Sequence, residues 1–260
     1  MAKFKNVLYE GIFRRPRLWS NNELSRIAHL FDGWVVNVSA WKDMDKSVSS
    51  YRDYILGDYD DGIPYRSYFI NADKYSITNY PRDKERGFLD SQKTNCVYDS
   101  EIALDLEEDL PIELVKKFDV VFCHTVLEHV FNVFKVFENL CLMSKDTVII
   151  VVPFVQKVHD YGGGYRDYWR FTPFALDRLF EENGFTVLYR SSCNLVQSSI
   201  YYFYVASRDP QQWEEHFRPV PLEKELKQIN TGDNVLPLGN VHLKFERALR
   251  RVAQFVGLRR

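Results

Sequence analysis

The segment Phe118–Thr125 reads FDVVFCHT, a continuous apolar run bounded by polar residues. Such a run predicts a β-strand that is buried on both faces, as in a parallel sheet. A second run, TVIIVV at Thr147–Val152, ends at Pro153 and predicts another buried strand. Between the two, residues 130–143 carry apolar side chains at helical spacing. Two buried strands separated by a helix indicate an α/β fold with a largely parallel sheet.

Further elements extend this alternation toward both ends of the chain. Ser20 has the character of an N-cap and predicts a helix over 20–31, and Thr172-Pro173 predicts the start of another. The charged stretch Lys74–Asn95 is expected to be loop with some helix. Four more strands are expected: Gly33–Ser39, Ser67–Ala72, Phe185–Tyr189 and Ser199–Val205. Because no helix separates the last two, the expected fold is Rossmann-like and doubly wound, mostly parallel, with a C-terminal antiparallel hairpin.

The composition is that of an ordinary globular protein and excludes some functions. The chain has 260 residues, with 34 Lys and Arg against 36 Asp and Glu. The resulting net charge of −2 argues against a nucleic-acid partner held by bulk charge. The 4 cysteines form no CxxC pair and no zinc-site spacing, and no apolar run reaches the roughly 20 residues that span a bilayer. We therefore expect a cytoplasmic protein with reduced thiols.

The last residues differ in charge from the rest of the chain. Residues 242–260 contain six Lys or Arg and one Glu, whereas the chain before them is acidic. Their apolar residues recur near helical spacing, which predicts a basic amphipathic helix: Phe245, Leu249, Val252, Phe255 and Val256. Such a helix suits contact with an anionic membrane surface, or packing against the core or a second subunit. We divide the chain into a domain over 1–208 and an extension over 209–260.

Three segments stand out, in this order along the chain: LDLEEDLP at 104–111, FDVVFCHTVLEHV at 118–130, and residues 160–185, which contain RDYWRFTPFALDRLFEENGF. Together they resemble class I S-adenosylmethionine-dependent methyltransferases. The resemblance is to the type 11-like enzymes found in cell-surface glycan biosynthesis, and it covers roughly residues 30–206. It implies methyl transfer from S-adenosylmethionine to a glycan or another small polar acceptor, through O-methylation. The alternative is a decayed relative that serves as a binding or scaffold protein.

The resemblance also assigns residues to the cofactor. The turn after the first strand, VVNVSAWKDMD at 35–45, lacks the family's glycines, and the small Ser39 and Ala40 stand at the point of close approach. Asp73, expected at the end of the second strand, would bind the ribose hydroxyls. The alternative for Asp73 is a solvated loop position.

Three further residues are assigned to the same cofactor by the resemblance. Asp105 would bind the adenine amino group and Leu106 an adenine ring nitrogen, unless this acidic segment is simply an exposed turn. His124, after the fourth strand, would border the methionine part of the cofactor. The alternative for His124 is a core histidine with a backbone partner.

The acceptor side of the site is expected in the loops after the later strands. Removing a proton from a hydroxyl acceptor needs a base near neutral pKa, and His159 and His129 are the candidates. The polar and aromatic residues that follow are expected to bind a sugar or its phosphates: Asp160, Arg166, Asp167, Tyr168 and Arg170. The alternative for this segment is structural, with Tyr168 packed and Asp167 paired with an Arg. His159 could equally be a surface loop residue, and His129 could cap or pack against the following helix.

A metal-dependent variant of this site is not expected. Glu128, His129 and His159 match a divalent-metal set of some relatives, but Thr125 stands where that set has its first Glu. A hard cation favours oxygen ligands, so the loss of one carboxylate weakens such a site.

Overall fold

The computed structural model describes residues 15–40, 43–45, 63–82, 98–156, 158, 166–193 and 200–218. In chain order its strands are β1 (Trp34–Val38), β2 (Met44–Asp45), β3 (Ile63–Pro64), β4 (Lys74–Asn79), β5 (Ser100–Ala103), β6 (Phe118–His124), β7 (Ser144–Val155), β8 (Thr186–Ser192) and β9 (Ile200–Ser207). Its α-helices are α1 (Arg15–Ile27), α2 (Val133–Met143) and α3 (Pro173–Glu182). Short 3-10 helices connect several of these elements.

A mixed sheet of seven strands forms the centre of the protein, in the order β5-β4-β1-β6-β7-β9-β8. The ladders from β5 through to β7 are all parallel. β9 lies between β7 and β8 and is antiparallel to both. The expected Rossmann-like α/β fold, mostly parallel with a C-terminal antiparallel hairpin, is therefore confirmed. β2 and β3 pair with each other in a separate antiparallel ribbon.

Helices cover both faces of the sheet, which explains the continuous apolar strands. Adjacent residues of β7 enter different hydrophobic cores, Ile149 on one face and Ile150 on the other. α1 packs on the face of Ile149 through Leu24. α2 and α3 cover the opposite face and contact each other through Phe137 and Phe180, with ring centroids 4.9 Å apart.

The second strand along the main sheet is not where the sequence predicts it. The prediction of a strand over Ser67–Ala72 is wrong, because a 3-10 helix occupies Tyr65–Tyr68 and the strand is β4, inside the stretch expected to be irregular. β4 is buried although it carries small polar side chains. Ser76 Oγ accepts hydrogen bonds from Trp34 Nε1 at 2.8 Å and from Ser100 Oγ at 2.8 Å. Hydrogen bonds from neighbouring strands thus satisfy the polar side chains of β4. In the sequence, the same side chains make β4 look like a loop.

The N-cap prediction at Ser20 is also wrong. α1 begins at Arg15, so Ser20 lies inside the helix, where it is fully buried. Its Oγ donates to a carbonyl one turn earlier and lies 3.0 Å from His124 Nε2. Glu23, three residues further along the helix, accepts a hydrogen bond from Tyr189 Oη. Both side chains serve tertiary contacts that a local pattern does not reveal.

α3 begins where the sequence predicts. Thr172 is its N-cap, and the Thr172 side chain accepts a hydrogen bond from Ala175 N. Gly184 follows the helix with a φ of +74°, a conformation in which glycine has no steric cost. Phe185 N then donates to Phe180 O at 2.9 Å and closes the helix end.

The chain beyond β9 packs back on the face of α1. Trp213 contacts Phe31, with ring centroids 5.1 Å apart, and its Nε1 donates to Asp146 Oδ2 at 2.9 Å. The domain boundary at residue 208 stays a prediction, and the predicted basic helix of residues 242–260 lies outside the described residues. Within the described ranges, no helix is long and apolar enough to cross a bilayer.

We expect Gly33→Ala to lower the free energy of unfolding by about 2–3 kcal/mol and Gly184→Ala by only about 1 kcal/mol. Both glycines have positive φ, +69° and +74°, so both alanines carry the same backbone cost. A Cβ at Gly33 would also lie 2.6 Å from Asp119 Oδ2, which accepts a hydrogen bond from Trp34 N, whereas at Gly184 the nearest atom is Arg208 Nη1 at 3.7 Å. Urea denaturation measures both variants, and equal losses would contradict the expectation.

Candidate active site

The centre of the sheet contains a topological switch point. β1 and β6 are neighbours there, and the chain passes from β1 to β4 and β5 on one side and from β6 to β7 on the other. Ligands of open α/β sheets bind in the crevice at the carboxyl ends of the strands at such a point. Ser39 and Ala40 follow β1 at this edge, and His124 and Thr125 lie at the end of β6.

Strained backbone is concentrated at this edge. Four described residues other than glycine have positive φ, and three of them lie here: Ser39 at 51°, Asp43 at 49° and Thr125 at 54°. Positive φ is unusual for such residues, and for the β-branched Thr125 it is a genuine outlier. Strained residues of this kind cluster at functional sites. The turn after β1 therefore adopts a conformation that suits glycine, although it contains none.

The turn after β1 is held by β4 and by a buried carboxylate. Ser39 N donates to Thr78 Oγ1 and Ala40 N donates to Thr78 O, both at 3.0 Å. Asp43 has no exposed surface. Its carboxylate accepts four hydrogen bonds: from Asn37 Nδ2 at 2.6 Å, Tyr75 Oη at 2.8 Å, Tyr98 Oη at 2.9 Å and Arg66 N at 3.2 Å. Sequence reasoning does not single out Asp43, because an Asp within KDMD looks like an exposed loop residue.

His124 is half-buried and neutral. Its ring contacts those of Tyr65 and Phe122, with centroids 5.6 Å and 6.0 Å away. Nε2 lies 3.0 Å from Ser20 Oγ and Nδ1 lies 3.2 Å from Thr125 Oγ1. Burial, followed by the positive charge of Arg17, lowers the pKa of His124 to about 3. A neutral imidazole therefore stands at the end of β6, with hydroxyl partners in place of the backbone partner that the sequence suggested.

The residues expected to bind adenosine separate into two groups. Asp105 and Leu106 lie just beyond β5, at the same edge as His124, and Asp105 Oδ1 accepts a hydrogen bond from Glu107 N. Asp73 directly precedes β4, so it lies at the amino edge of the sheet. The position expected for Asp73 is therefore wrong, because the strand on which it depended does not exist.

The carboxyl end of β4 carries an amide and a neighbouring carboxylate instead. Asn79 is the last residue of β4 and is buried. Its Nδ2 donates to Glu101 Oε1, on β5, at 2.7 Å.

A second cluster lies after β6, around Glu128 and His129. The two residues are in a 3-10 helix over Leu127–His129, and Glu128 is only 1% exposed. Glu128 O accepts hydrogen bonds from Tyr168 N at 2.7 Å and from Trp169 N at 3.3 Å. The backbone of the segment before α3 is thereby joined to the end of β6.

The segment before α3 is stabilised by an ion pair. The Asp167 side chain has no exposed surface and binds the Arg170 guanidinium through both carboxylate oxygens. Arg170 also donates to the carbonyls of Trp169 and Gln156, so several of its donors are used within the protein. Arg166 is exposed, and its carbonyl accepts a hydrogen bond from His129 Nδ1 at 3.1 Å.

Of the other acceptor residues expected from sequence, Tyr168 is 43% exposed and contacts the exposed ring of Phe131 at 5.5 Å. His159 and Asp160 lie outside the described residues. Of the possible metal set, Glu128 and His129 are therefore described and His159 is not. Across the described ranges, no group of three or more His, Cys, Asp and Glu side chains is arranged to hold a metal ion.

No protein-family model matches this chain, and no curated protein matches it. Solved structures resemble it at low scores. An S-adenosylmethionine-dependent methyltransferase from Clostridium acetobutylicum is 9% identical, with a TM-score of 0.49, over 79% of this chain and 98% of its own. Magnesium protoporphyrin IX methyltransferase from Synechocystis, with bound S-adenosylmethionine, is 12% identical, with a TM-score of 0.46, over 74% and 79%.

A third similar structure is 1,6-didemethyltoxoflavin-N1-methyltransferase from Burkholderia thailandensis, with bound 1,6-didemethyltoxoflavin and S-adenosylhomocysteine. It is 14% identical, with a TM-score of 0.46, over 73% of this chain and 80% of its own.

We expect Asp43→Asn to gain stability relative to the native chain as the pH rises from about 4 to about 6. Burial, opposed by the four hydrogen bonds, raises the pKa of Asp43 from 3.8 to about 6. Because the folded chain holds the Asp43 proton more tightly than the unfolded chain does, the native protein has its full stability below the unfolded pKa. It loses about 3 kcal/mol of that stability as the pH rises through the folded pKa, whereas asparagine does not ionise. Denaturation curves of both proteins across this range measure the difference. A constant difference would show that Asp43 titrates as in the unfolded chain.

Proposed function

We propose that this chain binds S-adenosylmethionine at the carboxyl ends of β1 and β6 and transfers its methyl group to a hydroxyl of a saccharide or another small polar acceptor. One observation carries the proposal: residues with positive φ, Ser39 and Thr125, follow the two strands that flank the switch point. Nucleotide-containing ligands bind open α/β sheets at this place, and backbone strain persists there when a site requires it.

The residues around the switch point fit an adenosine-containing cofactor. Ser39 and Ala40 are small, and their tight turn leaves the backbone open to close approach. Asp105 and Leu106, beyond β5, are proposed for the adenine. Glu101, next to the carboxyl end of β4, is proposed to bind the ribose hydroxyls as a carboxylate acceptor. The bound cofactor supplies an electrophilic methyl group.

His124 is proposed to border the methionine part of the cofactor. A neutral imidazole suits this place, because an imidazolium would repel a sulfonium cation. The hydroxyls of Ser20 and Thr125 hold the ring in one orientation.

The acceptor is proposed to bind beside Glu128–His129 and the segment before α3. His129 and His159 are the proposed bases, and a hydroxyl acceptor needs one to remove its proton. The exposed ring of Tyr168 offers a face for the apolar side of a sugar. The remaining acceptor contacts are proposed for the polar residues of this region: Asp160, Arg166, Asp167 and Arg170. Because Arg170 is paired with Asp167, we propose that it shapes the pocket more than it binds phosphate.

The cellular setting follows from the resemblance and from the basic C-terminal residues. We propose a role in surface polysaccharide biosynthesis on the cytoplasmic side. Residues 242–260 would then contact the inner membrane surface or a second copy of the chain.

A second candidate function is a scaffold that has lost the cofactor, and the turn after β1 favours it. Asp43 is a buried carboxylate in the turn after β1, where the methyltransferases that the sequence resembles have glycines. A carboxylate in this place leaves less room for a bound cofactor than a glycine would.

We expect isothermal titration calorimetry to show binding of both S-adenosylmethionine and S-adenosylhomocysteine. Glu101→Gln should weaken both about tenfold or more, because an amide replaces a charge-assisted acceptor worth about 1.5–3 kcal/mol. The variant keeps an oxygen for the contact with Asn79, so the fold should be retained.

Asp73→Asn is the matched control and should leave both affinities unchanged, since Asp73 lies at the opposite edge of the sheet. No heat of binding at millimolar ligand would overturn the methyltransferase proposal and favour the scaffold. A loss of affinity in Asp73→Asn but not in Glu101→Gln would overturn the ribose assignment alone.

A further inference from the structure

Three exposed aromatic rings lie near one another beyond the carboxyl end of β6, and we call them the aromatic patch. They belong to Phe131, Phe134 and Tyr168, whose side chains are 68%, 67% and 43% exposed. The rings of Phe131 and Tyr168 contact each other edge to face, with centroids 5.5 Å apart. Exposed apolar residues that stand alone are ordinary on protein surfaces, whereas adjoining ones mark binding sites.

The local structure does not require these rings to be exposed. Phe131 precedes Asn132, the N-cap of α2, and an apolar residue at this position often packs on the first turns of the helix. Here the Phe131 ring lies against Tyr168 and stays mostly exposed. Phe134 is exposed within a helix that buries Val133. Contact with water forgoes the free energy of burial, which a ligand that covers the rings would recover.

Hydrogen bonds hold the aromatic patch beside the proposed acceptor site. Tyr168 N donates to Glu128 O at 2.7 Å, in the 3-10 helix that follows β6. Trp169 Nε1 donates to Phe131 O at 3.1 Å. Both sides of the patch are thereby joined to the same short helix. The patch is continuous with the edge of the sheet at which the acceptor is proposed to bind.

The charges beside the aromatic patch do not suit an anionic lipid surface. Glu107 Oε1 accepts a hydrogen bond from Asn132 N at 2.6 Å, between the two phenylalanines in the chain. Lys135 is paired with Asp109 at 2.9 Å, and Arg166 is exposed on the side of Tyr168. Contact with anionic lipid uses clusters of four or more Lys and Arg, whereas the described border of the patch has carboxylates beside single cations. An uncharged apolar group fits this border better.

The size of the aromatic patch favours a small ligand over a second protein chain. At their observed exposures, three aromatic side chains of roughly 200 Å² each present about 350 Å². A stable protein interface buries about 800 Å² on each partner. Small-molecule sites, in contrast, are lined mainly by apolar and aromatic side chains with a few polar groups beside them. An alkyl chain or an aromatic ring has the size that the patch can cover.

We propose that the aromatic patch binds an uncharged apolar group, an alkyl chain or an aryl ring, that the methyl acceptor carries. This inference rests on the proposed function and deepens it, because it makes the acceptor a neutral amphiphilic glycoside and not a free sugar. The hydroxyl-bearing part lies at the carboxyl end of β6, and the apolar part lies across Phe131 and Tyr168. Burial of the apolar part supplies affinity and fixes the direction in which the sugar enters the site.

The first test needs no cofactor and compares n-octyl with methyl β-D-glucopyranoside, two neutral probes that share a sugar. Isothermal titration calorimetry, with octyl glucoside below its critical micelle concentration, should show at least tenfold tighter binding of the octyl compound, since each buried methylene adds affinity. The ring resonances of Phe131 and Tyr168 should shift with octyl glucoside only. Equal affinities, or shifts confined to other rings, would overturn the inference.

Substitutions in the patch give the matched comparison. Phe131→Ser and Phe134→Ser should each weaken octyl glucoside binding about fivefold or more and leave Tm unchanged, because both side chains are exposed. Ile70→Ser is the control, since Ile70 is 71% exposed and lies shortly before β4, away from the patch. An equal loss in Ile70→Ser would mean that the probe binds exposed apolar side chains without preference, which contradicts the inference.

Two other occupants of the patch have signatures of their own, and either one would overturn the inference. If a second copy of the chain covers the patch, the protein sediments as a dimer that Phe131→Ser dissociates. If the basic C-terminal residues cover it, Phe255→Ser in the full chain shifts the Phe131 ring resonance without any probe.

The last test separates this inference from the proposed function. With labelled S-adenosylmethionine, octyl hexopyranosides should be methylated with kcat/KM at least tenfold above that of their methyl counterparts, and Phe131→Ser should remove the difference through KM. Equal kcat/KM values would refute the inference and leave the methyltransferase proposal standing. Octyl glucoside binding without binding of S-adenosylmethionine would refute the methyltransferase proposal, and with it the assignment of the patch to an acceptor.

Discussion

The turn after β1 depends on the buried carboxylate of Asp43. Four donors from different parts of the chain converge on it: Asn37, Arg66, Tyr75 and Tyr98. These contacts join the central strand to β4 and to the segment after β3. Removing an unpaired charge from water is costly, so the carboxylate is stable only if all of these donors are in place. Asp43 therefore locks the strained turn that borders the switch point.

Burial controls the charge of the groups beyond β6 as well. His124 and His129 are driven toward the neutral form, and so is Glu128. Three groups that would be titrating or charged in water are thus close to neutral at the same edge of the sheet. The low charge of these three side chains would suit the sulfonium cofactor that we propose for this edge. Asp167 and Arg170 pair with each other at the side of this edge.

Periodicity in the sequence predicts the elements whose burial is apolar. β6 and β7 were recognisable as continuous apolar runs, α2 by apolar side chains at helical spacing, and α3 by its Thr172-Pro173 start. β4 was missed because Ser76 and Thr78 satisfy their hydroxyls across the sheet, which no local pattern reports. Asp73 was misplaced for the same reason. The backbone conformation of Ser39 was unexpected too, since serine rarely adopts positive φ.

The sequence by itself determined the α/β class and the closing hairpin, and it predicted the edge of the sheet at which a ligand would bind, since hydrophobic patterning and the alternation of strands with helices along the chain are local or nearly local properties. Only the tertiary structure decided which polar side chains matter at that edge. Asp43 and Glu128 owe their properties to burial by segments distant in sequence. Desolvation depends on every neighbour in space, so the proton affinity of a carboxyl cannot be read from the residues beside it in the chain.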